Sequence, residues 1–337
     1  MTEQNWKLRQ REHENGGTGV TNYIDRNLDR DGVDRRGFLK CMAWAGTGTL
    51  CVLQGGVLNS FALTDVLQHK VGKLSGELSF VQISDSHIGF DKDANRDVTA
   101  TLGEAIAKVN ALATPPSFVL HTGDLTHLSK PEEFDTLSES LKSLKTDRIF
   151  YVPGEHDVLN DNGAMFHARF GKETQGDGWY SFAQNGAHFI GLVNVLNLKA
   201  GGLGNLGSAQ LEWLRKDVAG LKSGTPIVVF AHIPLWAVYP QWGWGTDDSE
   251  QALAYLRRFG SVTILNGHIH QTMQKVEGNV TFHTACSTAF PQPQPGQAAS
   301  PGPMKVPVGK LRSVLGITDV NFVRGKHTLG ITDSSLA

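Results

Sequence analysis

Thiols are scarce in this chain. Its 337 residues hold three cysteines, and Cys41 and Cys51 both fall within the first 62 positions. Only Cys286 lies beyond them, which excludes a disulfide framework and a cysteine-based zinc site. Charge of one sign is equally short. The net charge of −2 gives no basic field that would recruit a nucleic-acid polymer or an anionic membrane. No repeat of solenoid length recurs. Against these absences stand a 40% hydrophobic content, enough for one domain of about 250 residues to bury a large core, and 13 histidines. Several of those histidines sit beside Gly or Asp at apparent strand ends.

Residues 1–34 are polar, lack any period, and read as disordered. Asp34-Arg35-Arg36-Gly37-Phe38-Leu39-Lys40 then precedes a mildly apolar run from Cys41 to about Leu58, and Ser60-Phe61-Ala62 resembles a small-x-small cleavage site. Paired arginines before a short, glycine-bearing apolar stretch resemble a twin-arginine (Tat) export signal. The run falls short of the roughly 20 apolar residues that span a bilayer, so no stable membrane anchor is expected, a retained anchor being the alternative. The division predicted is a signal segment over 1–62 and a single domain over 63–337. Its core lies at about 78–285, with a Pro-rich and β extension over 286–337. The resemblance implies the Tat export machinery as a partner, and a periplasmic or otherwise exported protein, soluble after cleavage. Export in the folded state suits a metal loaded inside the cell, before competing ions are met.

From residue 78 onward, short apolar β-rich runs alternate with helical periods. Leu78–Ser84, Phe118–Leu120, Ile149–Val152, His188–Val195, Pro226–Ala231 and Val262–Leu265 read as buried strands. Helices are predicted over about 97–113, 131–144, from Ser208, and over 248–259, while Leu159–Gly178 reads as a polar loop. Asn185-Gly186 and Gly278-Asn279 signal hairpins. Residues 291–307 hold six of the 13 prolines and read as an ordered wrap or a loose loop. Two short strands follow. The order predicts an α/β layered sandwich rather than a doubly wound sheet.

The chemistry gathers where strands end. Tyr151-Val152-Pro153-Gly154-Glu155-His156-Asp157 breaks sharply after its apolar run and hangs three ionisable residues in the turn. Open α/β sheets carry ligands at the carboxyl ends of strands. Four other strand ends repeat the arrangement: Asp85-x-His87, Gly123-Asp124, the lone His232, and Gly267-His268-x-His270. A single buried histidine is ordinarily a satisfied core residue. An ordered set of five such ends is a different matter. It resembles the calcineurin-like metallophosphoesterase family, whose pattern is Asp-x-His, Gly-Asp, Gly-Asn-His-Asp/Glu, a single His, and Gly-His-x-His. The likeness runs from about Phe80 to Ala285.

The resemblance implies a four-layer α/β/β/α sandwich, two mixed sheets flanked by helices, around a dinuclear centre. Asp85, His87 and His270 would hold one ion; His232, His268 and Glu155 the other; Asp124 would bridge them. Mixed carboxylate and imidazole donors suit Mn, Fe or Zn, divalent or trivalent. Such a pair lowers the pKa of a bridging water, and the implied reaction is attack of that hydroxide on a phosphoric ester. His156 would protonate the leaving oxygen or orient the phosphate. The expected partner is a small-molecule phosphate ester, a phosphodiester first and a phosphomonoester second. A non-catalytic binding scaffold of the same fold is the rival.

Two positions depart from the family. Glu155 stands in place of Asn, which adds a negative charge and should disfavour a dianionic monoester more than a monoanionic diester. His127 stands where the protein-phosphatase branch has an Asp, and no Asp-Arg-Gly follows, so phosphoprotein phosphatase activity is not expected. His127 either touches substrate or is a solvated loop residue. Asp157 reads as a turn-stabilising group, and His121 and His283 as structural. Trp236, Tyr239, Trp242 and Trp244 follow His232 closely; they would stack on a base, line an apolar wall, or pack on their own core. Arg96 and Arg169 are candidates to meet phosphate oxygens.

Overall fold

The computed structural model describes residues 49–54, 57–62, 77–196, 198, 201–323 and 329–337. The twin-arginine motif lies outside the described residues, and the expected cleavage site lies at their margin. The chain divides into two compact units, Met1–Lys73 and Leu74–Ala337. In the first, β1 (Thr49–Gln54) and β2 (Val57–Ala62) pair antiparallel, Thr49 opposite Ala62. Among the described residues, no helix is long and apolar enough to cross a membrane.

The second unit holds two sheets. One is five-stranded, in the order β13 (Gly330–Ser335), β12 (Gly316–Val323), β3 (Glu77–Ile83), β4 (Val119–His121), β5 (Ile149–Tyr151). β3, β4 and β5 run parallel, and β12 and β13 add antiparallel at the edge. The other is six-stranded: β10 (Met273–Glu277), β11 (Val280–Thr284), β9 (Val262–Asn266), β8 (Ile227–Phe230), β7 (Ala187–Gly191), β6 (Tyr180–Gln184). Here β7, β8, β9 and β11 are parallel, while β6 and β10 pair antiparallel at the two edges.

The period of two along each strand sorts side chains into layers. On β3, Leu78 and Phe80 enter one apolar cluster, Val81 and Ile83 another. On β8, Val228 and Phe230 join Phe80, while Ile227 and Val229 face the opposite way. The shared cluster, drawn from both sheets, is the seam between them. It is aromatic: Phe80 stacks on Phe118 at 5.0 Å, and Phe189 meets both edge-on at 5.4 and 5.3 Å. Helices α1 (Val98–Asn110) and α2 (Pro131–Leu141) cover the first sheet. Helices α4 (Gly207–Ala219) and α5 (Ser249–Leu256) cover the second. The result is the predicted sandwich of two mixed sheets between helical layers.

One element departs from the reading of residues 159–178 as loop: α3, Ala164–Phe170. Seven residues are too few for a visible period, but Phe166 and Phe170 meet one turn apart at 5.4 Å and Phe166 is buried. A last short helix, α6 (Leu311–Val314), precedes β12. The Pro-rich segment is an ordered wrap. Gln271 donates to the carbonyls of Gln292 and Pro293, and the Met304 amide donates to that of Pro291.

Candidate metal centre

The parallel strands β3, β4, β5, β8 and β9 all deliver their carboxyl ends to one place. Ligating atoms of Asp85, His87, Asp124 and His270 lie within 4.8 Å of one another, and so do those of Glu155, His232 and His268. Asp124 Oδ2 lies 3.4 Å from both His87 Nε2 and His232 Nε2, between the two groups. The seven residues expected to bind metal and His156 are thus gathered, in two groups with Asp124 lying between them.

The backbone is bent to achieve this. Asp85, His87, Asp124, His268 and His270 all have φ between 41° and 71°. For non-glycine residues that left-handed region costs on the order of 1–3 kcal/mol each and is met mostly where function demands it. Two glycines make room. A Cβ on Gly154 would collide with the Asp124 carboxylate, and one on Gly267 with Ser84 Oγ. These are the glycines of the Gly-Glu-His and Gly-His-x-His turns, so their place in the motif has a steric cause.

Hydrogen bonds fix the rings. His232 Nδ1–H donates to the Thr122 carbonyl at 2.7 Å, His270 Nδ1–H to that of Phe290 at 2.6 Å, and His156 Nδ1–H to that of His127 at 2.7 Å. Each therefore keeps Nε2 for the centre. His268 is turned the other way, its Nδ1 being 2.9 Å from Glu155 Oε1. The other oxygen of Glu155 lies 2.9 Å from His232 Nε2. Asp85 Oδ1 accepts the His268 amide at 3.0 Å, and Asp124 Oδ1 accepts that of His156 at 2.9 Å.

Whether these residues suit metal ions is tested by the atoms left over. Asp85 Oδ2, Glu155 Oε2, His232 Nε2 and both ring nitrogens of His268 are buried without a well-directed hydrogen bond; the 2.9 Å approaches of His232 and His268 to Glu155 are close but not aligned for one. A buried polar atom without a partner costs about 1–3 kcal/mol. Five of them aimed into one cluster of carboxylates and imidazoles are explained by cations, and a donor set without sulfur fits borderline ions such as Mn, Fe or Zn. The residues fit a dinuclear centre.

Without cations between them, the side chains set one another's charge. Burial would raise the pKa of Asp85, but His270 and His232 outweigh it and hold the carboxyl low. Glu155 is held well below the usual carboxylate range, the desolvation that would raise it being overcome by His268 and His232. Burial, then His156 and His270, pull His87 well down. His232 is raised well above its ordinary value because Asp124 and Glu155 outweigh its burial. The same two carboxylates raise His156 against its own desolvation.

Behind the turn, Asp157 is fully buried and accepts from the amides of Gly154, Leu125 and Thr126 and the hydroxyl of Thr126, at 2.8–3.0 Å. It ties the β4 and β5 ends together, as a turn-stabilising group should. Burial and the neighbouring charge of Asp124 push its pKa up to about 7, against the pull of those donors. His121 bonds Ser86 Oγ, and His283 bonds Asp333, both inside the packing. Trp242 and Trp244 are buried with Ile269, the residue between His268 and His270, and Trp236 packs on Phe282. The aromatic loop is therefore a small core supporting the Gly-His-x-His turn. Arg96 pairs with Asp91 and Asp93, and Arg169 with Asp135 beneath the Phe134 ring; their contacts are with these groups and not with the cluster.

Sequence reasoning missed the groups that act from the C-terminal extension and through main chain. Ser287 Oγ donates to the Asp85 carbonyl at 2.8 Å, and Gln292 to that of His268 at 2.9 Å. Phe290 stacks on His87 at 4.7 Å. None carries a local signature, because carbonyl acceptors are the same at every residue.

The fold and centre define a class. The chain belongs to the calcineurin-like phosphoesterase family, whose profile matches residues 78–272. The family comprises metal-dependent phosphoester hydrolases that use a dinuclear metal centre. Among curated relatives, the chain is similar to a 3′,5′-cyclic-nucleotide phosphodiesterase of Nostoc, 24% identical over 63% of this chain and 79% of that one. It is also similar to the serine/threonine-protein phosphatase CPPED1 of Mus musculus, 28% identical over 69% of this chain and 82% of that one. In fold it matches a dimetal phosphatase from Danio rerio, with a TM-score of 0.59, 14% identity, and coverage of 77% of this chain and 96% of the other. A purple acid phosphatase from yellow lupin matches with a TM-score of 0.55 and 12% identity, over 77% of this chain and 52% of the other.

Proposed function

We propose that the chain is a dinuclear-metal phosphoesterase that hydrolyses a small phosphoric ester, a phosphodiester in preference to a monoester, after export through the twin-arginine route. The observation that carries this reading is the convergence of seven donors, several with otherwise unsatisfied buried atoms, beside an imidazole whose proton position is fixed.

When bound, the metal pair supplies Lewis acidity: it acidifies water and polarises the phosphoryl oxygens. The rest is the work of the chain. Asp85, His87 and His270 would hold one ion, His232, His268 and Glu155 the other, and Asp124, set between the two groups, would serve both. His156, with Nδ1–H committed to the His127 carbonyl, presents Nε2 as the atom that gives a proton to the departing alkoxide. The Asp157 network holds that turn in place.

The diester preference rests on Glu155. Three carboxylates around two divalent ions leave a formal charge of about +1, against about +2 with a neutral amide at 155, and close charges weigh most on a dianion. The relatives named above include both a phosphodiesterase and a phosphatase, so the choice is made on this chain's own charge. The test reconstitutes the protein separately with Mn²⁺, Fe²⁺ and Zn²⁺, counts metal per chain, and assays bis(p-nitrophenyl) phosphate against p-nitrophenyl phosphate. The diester-to-monoester ratio should be higher in the parent than in Glu155→Asn. An equal or inverted ratio removes the preference. Metal-loaded protein with no turnover above that of His156→Ala would favour the scaffold.

A further inference from the structure

His87 is held unlike three other rings of the centre. His232, His270 and His156 each give Nδ1–H to a main-chain carbonyl at 2.6–2.7 Å, an acceptor no substitution removes. His87 Nδ1 instead meets a side chain, His127 Nδ1, at 3.4 Å. Its other nitrogen, Nε2, faces His270 Nε2 at 3.2 Å and Asp124 Oδ2 at 3.4 Å, inside the cluster. A ring that offers the Nε2 lone pair to a cation carries its proton on Nδ1, so His127 is the acceptor of this pair.

The same imidazole touches the acid. The rings of His127 and His156 lie stacked, centroids 5.0 Å apart and 15° from parallel, and the His127 carbonyl takes the His156 Nδ1 proton. Phe90 meets His127 edge-on at 5.1 Å and packs on Phe290 at 4.3 Å, while Phe290 backs His87. His127 is therefore packed on one side, between a metal-binding ring and a proton-donating one.

We propose that His127 is a positioning residue for both. By accepting the Nδ1–H of His87 it aims Nε2 of that ligand into the cluster, and by lying flat against His156 it fixes the plane from which the acid acts. The second half rests on the phosphoesterase reading; the first half requires only a metal.

The two contacts need different things of residue 127, so three variants separate them. Asn keeps an acceptor where Nδ1 stands and loses the ring; Phe keeps the ring and loses the acceptor; Ala loses both. The readouts are Zn²⁺ affinity by competition with a chromophoric chelator, ¹⁵N shifts of the histidine rings in the zinc-loaded protein, and kcat on bis(p-nitrophenyl) phosphate at saturating Zn²⁺. Affinity should fall about 10–100-fold in His127→Ala and His127→Phe and recover in His127→Asn, as when a partner of a ligating histidine is lost. The ¹⁵N signature of a protonated Nδ1 on His87 should follow the same order. At saturating metal, kcat should drop about tenfold or more in His127→Ala and His127→Asn and be retained in His127→Phe. Parent affinity in His127→Phe overturns the first role. Equal kcat in His127→Ala and His127→Phe overturns the second. If no form turns over the ester, the phosphoesterase reading and the second role fail together, while the affinity series still decides the first. Chemical denaturation of the metal-free variants identifies any loss that reflects folding alone.

Discussion

The seam between the sheets and the rim where their strands end are built from neighbouring residues of the same strands. Phe80 and Phe189 lie on strands and Phe118 directly precedes one, and all three are fully buried. A few positions on, Asp85, Asp124 and His268 sit in left-handed backbone, and Asp85 Oδ2 and both ring nitrogens of His268 are buried without a hydrogen bond. The seam gathers the free energy of burial; the rim stores strain and uncompensated polarity. The first tolerates the second because the strands entering the rim are fixed on both faces.

The sharpest way to break that contrast is a change at the rim that leaves the seam alone. Asp124→Asn keeps an oxygen for the His156 amide but removes the charge between the two lobes. Metal content should fall and ester hydrolysis should drop on the order of 10³-fold or more, beyond the 10–100-fold typical of an outer partner. Unfolding of the metal-free protein should hardly change. Retained metal and activity would mean that Asp124 does not join the lobes. The converse change is Phe189→Ala. It empties the middle of the seam and should cost about 3–5 kcal/mol in denaturant unfolding, while the folded fraction keeps its turnover number. A loss of turnover without a loss of stability would put the seam in the chemistry.

Asp157 stands behind the rim and ties the ends of β4 and β5 together, so its effect should be intermediate. Replacing it with Asn turns an amide group toward donors that now converge on a carboxylate. A loss of about 1.5–3 kcal/mol is expected, with a fall in turnover because the turn carrying Glu155 and His156 loosens. Unchanged stability in Asp157→Asn would show that the four bonds contribute nothing net.

The seam and the rim also differ in how they show in the sequence. Phe80-Val81-Gln82-Ile83 and its counterparts announce strands by their own composition. The rim is legible for a related reason: each donor follows such a run directly, and Gly123, Gly154 and Gly267 mark turns that a Cβ would block. Those donors form a set by their likeness to the family pattern as well as by position. What stayed hidden depends on distant partners. Phe290 reaches His87 across some two hundred positions, and the His156 acceptor is a carbonyl with no sequence identity of its own. The short helix Ala164–Phe170 escaped because seven residues show barely two turns. The sequence alone leaves the aromatic loop several roles; Ile269, set between His268 and His270, decides for packing.

The smallest effect concerns His121, at the end of β4 just inside the rim. Its ring is fully buried, Nε2 bonds Ser86 Oγ at 2.8 Å, and Nδ1 has no partner. Burial lowers its pKa from 6.5 to about 3, with the Asp85 charge opposing and His232 reinforcing the shift. The unfolded chain takes up a proton as pH falls through about 6.5, and the native chain refuses it until about 3. Stability attributable to this residue is thus complete above 6.5 and is lost progressively on acidification below it. One proton of difference corresponds to a slope of about 1.4 kcal/mol per pH unit. His121→Asn removes that proton from the balance. In metal-free protein, the dependence of unfolding free energy on pH between about 6 and 4 should become shallower by up to that amount. The intercept at neutral pH will report whatever packing is lost and is a separate quantity. An unaltered slope would mean that the native ring accepts its proton where it stands, so that the inner edge of the rim yields to acid as the unfolded chain does.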